Sequence, residues 1–176
     1  MRNLRLEDLI NDRPGLTAAR GAGFAQAAAV CLELNDHRPG VELQVDGDWS
    51  ETFEIAWTPA TAEVRATWAD FQEATEHGSY GLAILIAEHL TGLTVVERSA
   101  KSTGFDYWLG NITSSDLLFQ NRTKLEVSGI LQGEGTIAAR VRQKLAQVSR
   151  YEGSPLVPAF VVVVDYRPPK ARMVRR

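Results

Sequence analysis

Cysteine is nearly missing from this chain. Cys31 is the only one in 176 residues, so no intramolecular disulfide can brace the fold and a reducing compartment is expected. Its place between Val30 and Leu32 predicts a buried thiol rather than a nucleophile. Long apolar runs are missing too. The most apolar stretches, Gly81 to Ala87 and Ala159 to Val164, fall far short of the ~20 residues that cross a bilayer. Met1 to Asp8 mixes charges without an apolar segment, so no secretory signal is read and a cytoplasmic protein with no membrane partner is expected. Charge of one sign is scarce: a net charge of −3 excludes a protein that coats nucleic acid by bulk electrostatics. His37, His77 and His89 lack metal-ligand spacing. Neither a phosphate-cradling glycine loop ending in Lys-Ser/Thr nor a Gly-x-Ser-x-Gly elbow occurs. Gly21-Ala22-Gly23 has no strand ahead of it, which argues against dinucleotide binding, and no organic cofactor is expected.

What is present suits one α/β domain over residues 1–176, large enough to bury roughly two-thirds of its unfolded surface. Acidic residues dominate from Glu33 to Glu76, whereas Arg140 to Arg176 is basic. Residues 167–176 read as a basic tail, either meeting phosphates or frayed in solvent. Leu16 to Leu34 is rich in helix formers and is stopped by Asn35-Asp36 and Pro39-Gly40. Val41 to Val45 and Phe53 to Trp57 alternate around Asp46-Gly47-Asp48, which predicts a β-hairpin. Thr61 caps a predicted helix through Val64, Trp68 and Phe71, interrupted near Gly78. Ser79 caps a second one, apolar nearly all round, over Tyr80 to Leu90, with Gly92 closing it. Residues 1–78 thus form an N-terminal helical and hairpin extension, and residues 79–166 a core.

Within that core the order of elements carries information. Leu93 to Ala100 and Phe105 to Leu109 read as strands around the turn Ser102-Thr103-Gly104. Lys124 to Leu131 makes a third strand. Thr136 to Arg150 is an amphipathic helix with Ile137, Val141, Leu145 and Val148 at helical spacing, and Ala159 to Asp165 a strand covered on both faces. Asp106 and Glu126 then place one carboxylate on each of two strands. A helix, three strands, a helix and a strand, with Glu88 in the first helix, Asp106 in the second strand and Glu126 in the third, resembles the PD-(D/E)XK nuclease superfamily.

That resemblance covers about Ser79 to Tyr166. It implies a restriction-endonuclease-like αβββαβ mixed-sheet core and divalent-metal-dependent hydrolysis of DNA phosphodiester bonds. It further implies Mg²⁺ or Mn²⁺ held by Asp106 and Glu126, with Glu88 assisting. Ser128 stands where the family carries a lysine. Physically, phosphodiester cleavage needs charge neutralised on the phosphate oxygens and a water activated, and carboxylates holding a hard cation serve both needs.

Several alternatives stay open at the level of sequence. Glu88 either helps hold metal or meets a core arginine such as Arg98. Lys124, two residues before Glu126 on the same strand face, either replaces the missing cation or protects a strand edge. Ser128 either holds a water or marks a site that binds without cutting. Arg140, Gln143, Lys144 and Gln147 share a polar helical face, with Arg142 and Arg150 nearby, that either touches nucleic acid or is solvated. Trp108 either walls the cleft beside Asp106 or packs under a loop. Besides a nuclease, the residues allow a catalytically inactive module that binds nucleic acid or a protein partner within a larger, defence-type assembly. DNA is the expected partner, with another protein or a second copy of the chain also allowed.

Overall fold

The structure, a computed structural model, describes residues 1–111, 122–133, 135–150 and 157–176, the side chains of 149 and 150 excepted. β1 (Arg2–Arg5) leads through a 3₁₀ turn (Leu6–Ile10) to α1 (Ala18–Glu33), then to the hairpin β2 (Val41–Gly47) and β3 (Glu51–Ala56). There follow α2 (Ala62–Thr67), α3 (Phe71–Thr91), β4 (Thr94–Arg98), β5 (Tyr107–Gly110), β6 (Thr123–Ile130), α4 (Ile137–Arg150), β7 (Ala159–Asp165) and β8 (Lys170–Arg175). From α3 to β7 the order is helix, three strands, helix, strand, as the sequence predicts. The class is α/β.

All eight strands join one mixed sheet in the order β1-β3-β2-β8-β7-β6-β5-β4. Every residue of β7 is buried, because helices cover both sides of it. Phe160, Val162 and Val164 face the core shared with α1 and α3, while Ala159, Val161 and Val163 face α4 through Val141 and Val148. Each fully buried valine contributes roughly 1.5 to 3 kcal/mol. Cys31 is buried as predicted, and burial pushes its thiol up to about 12.

Three boundaries differ from the sequence reading. The basic tail is strand β8, which pairs antiparallel with β7 and parallel with β2 and so stitches the hairpin extension to the core. Its alternation of exposed Lys170 and buried Ala171 and Met173 is a strand pattern, and Arg172 is held by Asp46 at 2.6 Å. The helix break lies at Trp68–Asp70, with Thr61 and Asp70 as caps, and α3 runs unbroken through residue 78, the expected edge of the core. Gly78 is there for packing: a Cβ would stand 2.8 Å from the backbone of Ala28 on α1. Ser79 is accordingly a buried mid-helix residue, its hydroxyl donating to the Tyr166 hydroxyl at 3.5 Å, and caps nothing. Gly92 does close α3, in the left-handed conformation at φ 72°.

Candidate active site

The register of β5 and β6 creates the site. Pairing runs Leu109↔Thr123, Trp108↔Lys124, Tyr107↔Leu125 and then stops, because β5 begins at Tyr107. Asp106, expected inside the strand, lies immediately before it. Its N–H donates to the Leu125 carbonyl at 2.8 Å, and its Oδ2 accepts the Val127 N–H at 2.8 Å. The carboxylate therefore satisfies a backbone donor that the strand no longer reaches. Beyond this point β6 runs on beside β7, and a cleft of about 1170 Å³ opens between the N-terminal half of α3, the 98–106 segment, β6 and α4.

Glu126 forms the floor of that cleft, its side chain only 3% exposed. Lys144 on α4 donates to its Oε1 at 2.6 Å, and Gln147 to the same oxygen at 3.3 Å. The amphipathic pattern of α4 explains the reach: Val141 and Val148 are buried against the sheet, which turns Arg140, Lys144 and Gln147 into the cleft. Burial pushes the Glu126 carboxyl up to about 7, the Asp106 carboxylate adding to the shift and Lys144 opposing it. Two carboxylates are thus held close enough to repel on a poorly hydrated floor.

Asp106 has its own cation. Arg98 donates to Asp106 Oδ1 at 3.2 Å and also to the Asp106 carbonyl, while its guanidinium lies over the Tyr80 and Tyr107 rings, 5.1 and 4.7 Å from their centroids. The Tyr80 hydroxyl donates to Glu76 Oε1 at 2.7 Å and lies 3.1 Å from Asp106 Oδ1. Burial, then the two carboxylates, raise the Tyr80 phenol, so it stays a donor. Glu76, Tyr80 and Arg98 were not assigned to the site from the sequence. The spacing of Glu76 and Tyr80, one helical turn apart, was the available signal; nothing local pointed to Arg98.

The remaining predicted residues divide. Ser128 lines the cleft, as do Arg140, Lys144 and Gln147, whereas Gln143 is exposed outside it and Arg142 is solvated. The side chain of Arg150 lies outside the described residues. Lys124 forms no ion pair with Glu126: its Nζ sits 5.5 Å from the centroid of Phe105, and Lys124 itself is not part of the cleft lining. Trp108 packs edge-on to Phe105, centroids 4.6 Å apart, rather than walling the cleft. Glu88 is not part of the site. It lies toward the C-terminal end of α3, about three turns beyond Glu76, gripped by Arg13 at 2.6 and 2.8 Å and by the Thr94 hydroxyl. An arginine does meet Glu88, but it is Arg13 and not Arg98.

A cation between Asp106 and Glu126 would relieve the repulsion that raises Glu126. Among the described residues no group of three or more His, Cys, Asp or Glu side chains gathers as a metal cluster. Water would therefore have to complete a magnesium shell, as that ion commonly allows. No family model, no curated protein and no solved structure matches the chain. Among the described residues no helix is long and apolar enough to cross a membrane.

Proposed function

We propose that the segment from α3 to β7 is a restriction-endonuclease-like core of the PD-(D/E)XK type, and that the chain is a divalent-metal-dependent nuclease hydrolysing DNA phosphodiester bonds. The observation that carries this reading is Lys144, whose Nζ lies 2.6 Å from Glu126. A cation is thereby supplied from α4 to the carboxylate pair, where the strand itself offers only Ser128. Asp106 and Glu126 would hold Mg²⁺ or Mn²⁺, which when bound supplies Lewis-acid charge stabilisation and an acidified water.

The chain's own side chains support the rest of the chemistry. Lys144 adds fixed positive charge beside the carboxylates, where negative charge develops on phosphate during hydrolysis. Arg98 and the Val127 N–H hold the Asp106 carboxylate in one orientation. Ser128 offers a hydroxyl to a water in the cleft. Arg20, Lys101 and Arg140 line the walls without a salt bridge of their own among the described residues, and are suited to the phosphate backbone.

A second reading has a specific observation behind it. Arg98 and Lys144 already neutralise the two carboxylates as ion pairs, which suits an inactive nuclease-fold module that binds nucleic acid or a protein partner. Supercoiled plasmid and single-stranded DNA, incubated with Mg²⁺, Mn²⁺ or EDTA beside an Asp106→Ala variant, separate the two. Metal-dependent cutting abolished in the variant supports the nuclease. Binding without cutting supports the module.

A further inference from the structure

Three large hydrophobic side chains are exposed among the described residues: Met1, Ile10 and Phe71. Only Phe71 lines the cleft. It is the first residue of α3, placed there because Asp70 caps the helix with its carboxylate on the Gln72 and Glu73 N–H groups. Its side chain is consequently projected at the mouth, 49% exposed. Phe105, the other phenylalanine of the lining, is engaged by Trp108 and Lys124. Phe71 has no such ring contact among the described residues.

Resting on the reading of this cleft as a DNA site, we propose that its substrate is an unpaired DNA strand and that Phe71 is the platform on which one of its bases stacks. A nucleic-acid strand carries both flat apolar faces and anionic linkages, and this lining offers a ring for the one and cations for the other. The free ring of Phe71 is accompanied in the lining by Arg20, Lys101 and Arg140, which form no salt bridge among the described residues. Gln72, beside Phe71, and Gln132, also in the lining, add amides able to meet base edges. In an intact duplex the base faces are covered by their neighbours, so an aromatic side chain gains a stack only where the strand is single, frayed or flipped out. Phosphate-binding cations alone would not discriminate; the aromatic does.

The test measures binding of a fluorescent 20-nucleotide oligo-dT and of a 20-base-pair duplex in EDTA, where cleavage is silent. The 176-residue chain should bind the single strand about tenfold more tightly than the duplex. Phe71→Ala should weaken single-strand binding by about 5- to 150-fold, the range of one base–aromatic stack, and leave duplex binding within about twofold. Phe71→Trp should restore it, with thermal melting of both variants confirming the fold. Equal losses on both ligands, no loss on either, or a wild-type protein that prefers duplex would overturn the proposal. Addition of Mg²⁺ separates this inference from hydrolysis. Phe71-dependent binding without cutting removes the nuclease reading and leaves the stacking site, while cutting of duplex indifferent to Phe71 does the reverse.

Discussion

The two ends of α3 hold similar residues and use them differently. Toward its C-terminus Glu88 meets Arg13 through both carboxylate oxygens, with the Thr94 hydroxyl added. One acid faces one cation in bidentate geometry, and Arg13 also donates to the Asp8 and Asn11 carbonyls, tying the N-terminal turn to the helix. Toward the N-terminus Asp106 and Glu126 face the same cleft beside Arg98 and Lys144, and the Tyr80 phenol stands between Asp106 and Glu76. There the carboxylates repel, Glu126 is pushed up, and the groups face an open cleft. Charges matched one to one lock a fold. Charges crowded onto a cleft floor keep free energy that a ligand can release.

The largest expected effect falls on the locked end. Arg13→Met leaves Glu88 without its cation in a largely buried setting, with side-chain exposures of 7% for Arg13 and 21% for Glu88. Urea unfolding should show a loss of about 3 kcal/mol, while DNA binding and any cleavage, corrected for folded protein, should stay as they were. A cleavage defect matching that of Asp106→Ala would mean that the two ends are coupled and the contrast is false. Lys144→Met should do the opposite. Cleavage should fall about 100-fold, or about 2.7 kcal/mol of transition-state stabilisation, with stability changed far less. Undiminished cutting would remove Lys144 from the mechanism.

Much of this contrast was hidden in the sequence for definable reasons. The order from α3 to β7 and the strands bearing Leu125 and Val162 were legible because apolar periodicity and turn residues act locally. Gly78-Ser79 misled because a glycine and a serine inside a helix read as a break, whereas here small side chains let α1 approach α3. β8 was hidden by the five Arg and Lys residues from 167 to 176, since the buried Ala171 and Met173 alone carry its pattern. In the site, Asp106 and Glu126 were legible as a pair. The partner of each was not, because Lys144 meets Glu126 across 18 residues of chain and Arg98 reaches Asp106 from the neighbouring strand; outside the site, Arg13 meets Glu88 across 75. Which face of α4 turns to the cleft depends on how Val141 and Val148 seat on the sheet.

Acid–base behaviour should also separate the ends. Glu126 binds its proton more tightly folded than unfolded, since its carboxyl is raised to about 7 from the ordinary 4.5. The folded state then holds more protons between those values, so stability falls as pH rises from about 4.5 through about 7 and levels above. Glu126→Gln should remove that slope, leaving the variant more stable than wild type at pH 8 by about 2 kcal/mol and equal to it near pH 4. Urea midpoints across this range, as differences between the two proteins, read the effect directly. A slope that persists in the variant would place the strain elsewhere.

The smallest effect tests how crowded the cleft floor is. The Tyr80 hydroxyl has one proton for two acids, and the shorter contact, 2.7 Å to Glu76 against 3.1 Å to Asp106, assigns it to Glu76. Toward Asp106 the oxygen is then chiefly a spacer, and the Arg98 guanidinium 3.4 Å away is what keeps it there. Tyr80→Phe leaves the ring under Arg98, so the cation–π contact survives while the hydrogen bond to Glu76 and the longer one from Arg98 are lost. Stability should fall by about 1 kcal/mol, and cleavage by less than tenfold, because Arg98 and the Val127 N–H still orient Asp106. If the variant lost activity as completely as Asp106→Ala, the hydroxyl would be part of the chemistry. The crowding of acids would then matter less than the one proton shared between them.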